Sequence, residues 1–187
     1  MSFRRAAMRR DAKNKEKIQK CKAPGADILR ARNDGWEQGK KLAICIIFEC
    51  VYKEFGWRIE RLRRLSESLT KYSLDYDRDV LRFSCSVWHE KLKNIIEKMH
   101  ISNIVPTGTV TDMSLYTERC DTYLATASFI LSAVYSEYSF TSNSKGTGRM
   151  DRVMNRFATE YARLSSCIDY DIITRCNHIE ELIGLKF

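Results

Sequence analysis

From Trp57 to Val105, and again from Thr109 to Lys145, the chain contains neither glycine nor proline. Stretches of that length without a breaker favour helices. Only two prolines occur among the 187 residues, Pro24 and Pro106. The apolar fraction of 44% is ordinary for a folded protein, so a real core is within reach. The length suits one domain or two small ones.

Apolar spacing sets out the helices one by one. "APG" at Ala23–Gly25 predicts the end of an N-terminal arm. A long helix is predicted from about Asp27 to Phe55, strongly apolar after Lys41 and therefore buried on several sides. Gly56 is expected to stop it, because glycine tolerates left-handed geometry. Ile59, Leu62, Leu65, Leu69 and Tyr72 form the stripe of a second helix. "LDYDRD" breaks it, with Asp75 or Asp77 as cap for a third helix carrying Val80, Leu81, Phe83, Val87, Trp88, Leu92, Ile95 and Ile96. "ISNIVPTGTVTD" reads as a loop, with Thr111 or Asp112 capping a fourth helix over about Met113–Tyr138. A fifth helix carries Met150, Val153, Met154, Phe157, Tyr161 and Leu164. "DYD" at Asp169–Asp171 opens a sixth that ends near Ile183. The expected fold is all-α with about six helices.

The chain repeats itself. A shift of 83 residues lays Val51, Tyr52 and Glu54 on Val134, Tyr135 and Glu137. A shift of 91 lays Arg58, Ile59, Arg61 and Leu62 on Arg149, Met150, Arg152 and Val153, and a shift of 94 lays Asp75-Tyr76-Asp77 on Asp169-Tyr170-Asp171. The shift grows only at loops and helix ends, where insertions are tolerated. The chain therefore divides into a basic arm over residues 1–25 and two similar three-helix units over 26–105 and 106–187. The units are expected to pack in one globule with approximate two-fold symmetry, burying the helices around Ile46 and Phe129 against each other.

The net charge of +8 is unevenly placed. Residues 1–22 hold nine Lys or Arg and two acidic residues, whereas the rest of the chain holds 23 basic and 22 acidic. The basic character thus belongs to the arm, through Arg4, Arg5, Arg9, Arg10, Lys13, Lys15, Lys17 and Lys20. Such an arm attracts nucleic-acid phosphates without reading sequence, or serves as a solubilising tail. No apolar segment follows the charged start, so no signal peptide is expected. "LAICIIFECVY" is too short for a membrane span and contains Glu49. The seven cysteines form no CxxC pair and read as reduced thiols of a cytoplasmic protein.

Four groups are candidate sites. Arg58, Arg61, Arg63 and Arg64 in one unit and Arg149, Arg152 and Arg156 in the other lie at a helix start, where positive charge opposes the macrodipole. They suit phosphate or acidic-surface contact; the alternative is a solvated face paired with Glu60, Glu67 and Asp151. The arm is the second. The carboxylates of the two DYD segments are the third, explained by helix capping more simply than by Mg²⁺. Cys85 with His89 and Cys176 with His178 are the fourth, lacking the four convergent ligands that zinc requires. No metal or other cofactor is expected, and no catalytic signature is present. Gly35 and Gly39 form a GxxxG that permits close helix approach.

The segment "GWEQGKKLAICIIFECVYKEFGWRIERLRRLSESLTKYS" resembles small helical proteins of phages and mobile elements in Firmicutes. The resemblance rests on Gly35, Gly39, Phe55, Gly56, Trp57, Arg58, Ile59, Arg61 and Leu62, with "RRAAMRR" similar in style. It covers about Gly35–Val80; the second half departs from it, with Thr147-Gly148 at the place of Gly56-Trp57 and no GxxxG. The resemblance implies a non-catalytic inhibitor of a host nucleic-acid-handling machine, such as an anti-CRISPR protein acting on a type II effector nuclease and its guide RNA. The alternative is a regulatory protein that binds DNA or RNA directly. An enzyme using the carboxylates with a metal is the third class and is not expected.

Overall fold

The computed structural model describes residues 3–75, 78–99, 108–143, 145–167 and 170–186, with side chains left out over 3–24 and 75–83. Six helices follow in order: α1 Phe3–Phe55, α2 Ile59–Asp75, α3 Arg78–Lys98, α4 Val110–Tyr138, α5 Arg149–Ser166 and α6 Ile172–Ile183. Among the described residues there is no strand. The protein is all-α, as the sequence predicts.

Two predicted boundaries are displaced. Helix α1 runs through Ala23–Gly25 and does not begin near Asp27. A proline removes one backbone donor and crowds one carbonyl, which strains a helix without obliging it to stop. Helix α4 starts earlier than expected. Its cap is Thr109, not Thr111 or Asp112. The Thr109 hydroxyl accepts from the Asp112 N–H at 3.2 Å, and the Asp112 carboxylate accepts from the Thr109 N–H at 3.0 Å. This reciprocal box satisfies two donors at once, which neither predicted cap alone would do. Asp171 caps α6 as predicted, accepting from the Thr174 N–H at 2.9 Å. Asp75, Asp77 and Asp169 lie outside the described side chains.

Helices α1 and α4 form the centre, and they run parallel. Gly35 lies against the backbone from Leu115 to Arg119, and Gly39 against that from Arg119 to Tyr123. Farther along, Trp57 meets Phe140 with ring centroids 6.0 Å apart. Each residue therefore meets the region about 83 places later, the same offset that aligns the two halves in sequence. A parallel pair in that register is what an approximate two-fold axis along the helices demands. Leu42, Ile46, Ile47 and Phe48 on α1 and Ala127, Ile130, Leu131 and Val134 on α4 are buried between the units. Phe129 packs at the edge of this core, half-buried.

The third helix of each unit crosses to the other unit. Helix α6 lies antiparallel on α1, with Lys41 bound to Glu180 at 2.9 Å and Arg175 to Glu49 at 2.6 Å. Helix α3 lies antiparallel on α4, joining His89 to Ser128 at 3.3 Å and Ser84 to Ser132. Ser132 is the 83-residue counterpart of Glu49. The two halves thus exchange their third helices by equivalent routes but seal them differently, with ions on one side and hydroxyls on the other.

The turn after each central helix is also equivalent. Gly56 has φ +66°, and the Trp57 N–H donates to the Val51 carbonyl at 3.1 Å. Ser139 has φ +51°, and the Phe140 N–H donates to the Val134 carbonyl at 3.5 Å. The second joint's left-handed residue is therefore Ser139, whereas sequence alignment places Thr147-Gly148 opposite Gly56-Trp57. The polar insert follows the joint and is folded onto α5 by Asp151, whose carboxylate accepts from the Asn143 and Gly148 N–H groups. A left-handed serine carries a cost that glycine avoids. Ser139→Gly is expected to stabilise the protein by about 0.5–1 kcal/mol, read as a higher urea midpoint. A lower midpoint would show that this turn is not the conformational equal of Gly56.

Candidate functional site: an arginine crown over joined aromatic rings

Where the two joints meet, four aromatic rings form one cluster. Phe55 and Phe140 stand edge to face at 5.3 Å, Trp57 lies 5.3 Å from Tyr138, and Trp57 also contacts Phe140. Trp57 and Phe140 are buried. The first turns of α2 and α5 begin beside this cluster, and their arginines lie over it.

Arg61 sits over Trp57 at 5.2 Å and Arg58 over Tyr52 at 5.2 Å. Arg152 sits over Phe55 at 4.7 Å, while Arg149 is within 5.9 Å of both Phe55 and Phe140. Arg152 belongs to the second unit and Phe55 to the first. Arg61, Arg149 and Arg152, predicted in two separate copies, are thus seated on one shared aromatic base, and Arg58 rests on the separate ring of Tyr52. All four are exposed. A guanidinium stacked on a ring face is attracted by the ring quadrupole and loses less freedom when it later binds a partner. Positive charge at the two helix starts is tolerated because the rings hold it.

The other predicted arginines behave differently. Arg63 and Arg64 are exposed on the next part of α2, where Arg63 lies 3.4 Å from Glu60. Arg156 turns inward and pairs with Glu49 at 2.5 Å. The side chains of Arg4, Arg5, Arg9, Arg10, Lys13, Lys15, Lys17 and Lys20 lie outside the described residues.

Sequence reasoning missed what Arg156 is paired with. Glu49, 1% exposed, accepts from Lys53, Arg156 and Arg175. Glu160, fully buried, accepts from Arg163, Arg175 and the Tyr170 hydroxyl. Arg175 bridges the two carboxylates and so ties α1, α5 and α6 together. Burial alone would push the Glu49 carboxyl up; the hydrogen bonds from Lys53, Arg156 and Arg175 outweigh it and hold the group down at about 2. The Arg175 guanidinium is disfavoured by burial but raised overall by Glu49 and Glu160. In the sequence Glu49 served only to disqualify a membrane span. Its arginine partners are too far along the chain to be inferred from spacing.

The sulfur and imidazole candidates separate. Cys176 faces Cys45 on α1, where hydrogen bonding between the thiols and then burial push Cys45 up. His89 on α3 faces Ser128 on α4, which is 1% exposed and donates to the Leu124 carbonyl at 2.7 Å. Among the described residues, no group of three or more His, Cys, Asp or Glu is placed to hold a metal ion. None of the described helices is long and apolar enough to cross a membrane. Gly35 and Gly39 are covered by α4, so the GxxxG serves packing within the chain, as predicted.

A second surface feature is a groove of about 890 Å³ between α1, α2 and α4, with Trp36 half exposed at its mouth. No sequence motif marks it. No protein-family model, no curated protein and no solved structure matches the chain.

Proposed function

We propose that the chain is a non-catalytic binding protein whose contact surface is the arginine crown of Arg58, Arg61, Arg149 and Arg152. The observation that carries this reading is that three exposed guanidiniums from both units, Arg61, Arg149 and Arg152, are seated over one cluster of rings, while Arg58 is held over Tyr52. Exposed arginines ordinarily lose rotamer freedom on binding; these are already held. They present planar donors suited to phosphate and carboxylate.

Trp57 beneath Arg61 and Phe140 beneath Arg149 are buried and Phe55 is half-buried, with arginines over all three, so these rings are poor platforms for stacking bases. Contact would therefore run through phosphates, which position a partner without specifying sequence. That favours a nucleoprotein partner over a sequence-reading regulator. A type II effector nuclease with its guide RNA, the target implied by the sequence resemblance, offers phosphates and charged protein surface together. In this reading the protein acts as its inhibitor.

The test compares the wild type with the combined variant Arg58→Gln, Arg61→Gln, Arg149→Gln and Arg152→Gln. Binding to a labelled duplex, a labelled RNA and an effector–guide complex is followed by anisotropy over a salt series. Loss of four phosphate contacts should lower the slope of log K against log salt by about 3, at roughly 0.7–0.9 per contact. The inhibitor reading expects the effector–guide complex to be bound more tightly than either free nucleic acid. Equal affinity and slope in a variant that keeps its melting temperature would overturn the role of the crown.

A further inference from the structure

The groove beside Trp36 is the first unit's counterpart of a contact that the second unit has closed. In the second unit the space between α4 and α5 is filled by Tyr123, fully buried on α4. Its ring lies 6.1 Å from Phe157 and 6.3 Å from Tyr161 on α5, and its hydroxyl donates to the Phe157 carbonyl at 3.1 Å. The residue of α1 that stands 83 places before Tyr123 is Lys40. Lys40 fills nothing. It is exposed, with its ammonium 4.8 Å over the exposed face of Trp36. Between α1 and α2 the space that a tyrosine closes elsewhere is left open as the groove.

The groove's chemistry is that of the missing ring. Its floor is Ile44 and Phe48 on α1, Leu69 on α2, and Phe129 and Ile130 on α4. The α2 wall carries Thr70 and Ser73, whose hydroxyls donate to their own helix, to the Ser66 and Thr70 carbonyls at 3.1 and 2.6 Å. Their protons are thus used within the helix, and toward an occupant they can only accept. At one rim stand Asp121, exposed, and Glu118, which holds Arg32 at 3.0 Å. The floor is apolar, and the rim carries Lys40 on the α1 side and, on the α4 side, Asp121 beside the paired Glu118.

We propose that this groove receives a helix of a partner protein that inserts aromatic side chains four residues apart and sets a basic residue against Asp121. The spacing is that of Phe157 and Tyr161, the pair that lines the closed counterpart, and it is how a helix presents anchors to a groove. The volume exceeds one ring and suits two anchors. The groove shares no residue with the arginine crown, so this inference stands apart from the function proposed there.

The probe is a labelled synthetic peptide with the sequence of residues 149–166, which carries this aromatic pair and four arginines. Saturable binding to the full chain is expected. Replacing Phe157 and Tyr161 of the peptide with alanine should weaken it by about tenfold or more. In the protein, Lys40→Tyr rebuilds the ring of the closed counterpart, so it should weaken peptide binding by about tenfold and raise the melting temperature. Asp121→Asn should weaken binding and reduce its salt dependence. Should Lys40→Tyr fold poorly, Thr126→Trp obstructs the same groove from α4 and carries the same expectation for the peptide. Absence of saturable binding, equal affinity for the alanine peptide, or binding unaffected by the groove-filling variant would each overturn the proposal.

Discussion

Gly39→Ala is expected to destabilise the protein by about 2–3 kcal/mol, although alanine is the better helix former by about 1 kcal/mol. A Cβ at this position would lie 2.4 Å from the Arg119 carbonyl oxygen and 2.9 Å from the Tyr123 nitrogen. Both are backbone atoms of α4, so no rotamer change can relieve the contact; the two central helices must move apart. Gly35→Ala meets the Leu115 carbonyl at 2.5 Å and should behave alike. The double variant would lose a large part of a typical domain's stability, with the two costs coupled because one displacement of α4 relieves both. Gly25 is the control. A Cβ there meets nothing within 4 Å, so Gly25→Ala should be neutral or stabilising. Urea unfolding followed by circular dichroism reads all four variants. A raised midpoint for Gly39→Ala would mean that α1 and α4 are not in the close parallel contact described.

Glu49→Gln should cost about 3 kcal/mol and remove part of the protein's acid sensitivity. The substitution leaves Arg156 without its carboxylate partner and Arg175 with Glu160 alone, both guanidiniums being largely covered. The sign of the pH effect follows from the direction of the shift. The Glu49 carboxyl is held at about 2 in the folded protein, below its ordinary 4.5. A lowered carboxylate stabilises the fold above the unfolded value and loses that contribution as pH falls through the folded one. The window therefore lies between about 4.5 and about 2, and a gap of that size corresponds to roughly 3 kcal/mol. Measured against pH, the wild type should lose stability across that window and Glu49→Gln should lose less. Identical acid profiles would show that the network does not hold Glu49 ionised.

Much of the fold was legible because it is written in local periodicity. The stripe Leu62, Leu65, Leu69 and Tyr72 and the stripe Met154, Phe157, Tyr161 and Leu164 each mark the buried face of their helix, whereas Ile59, predicted in the first stripe, is exposed in the opening turn of α2. The arginines after each joint were legible as a repeated element, but not their meeting on a single ring cluster. That depends on α1 and α4 lying parallel, a relation between units that no local pattern encodes. The 83-residue offset held the clue, since a two-fold parallel pair brings each residue to its own counterpart. The same offset sets Lys40 opposite Tyr123 and so reveals the groove, but only once Tyr123 is seen to be buried. Arg156 was misleading in sequence for a related reason. Its spacing matches Arg149 and Arg152, yet it falls on the face of α5 turned towards Glu49. Capping failed at Thr109 because the box needs both members, and Thr111 and Asp112 each satisfied the local rule alone.

The meeting of the two joints places both sets of arginines on one surface. A two-dimensional NOE spectrum of the folded protein, with aromatic resonances assigned, tests it directly. Cross-peaks are predicted between the Trp57 indole and the Phe140 ring, and between the rings of Phe55 and Phe140. The pair Tyr123 and Phe157, both within the second unit, supplies the internal control. Cross-peaks for the control with none between the two joints would show that the units fold but do not meet there, and the single arginine crown would not exist.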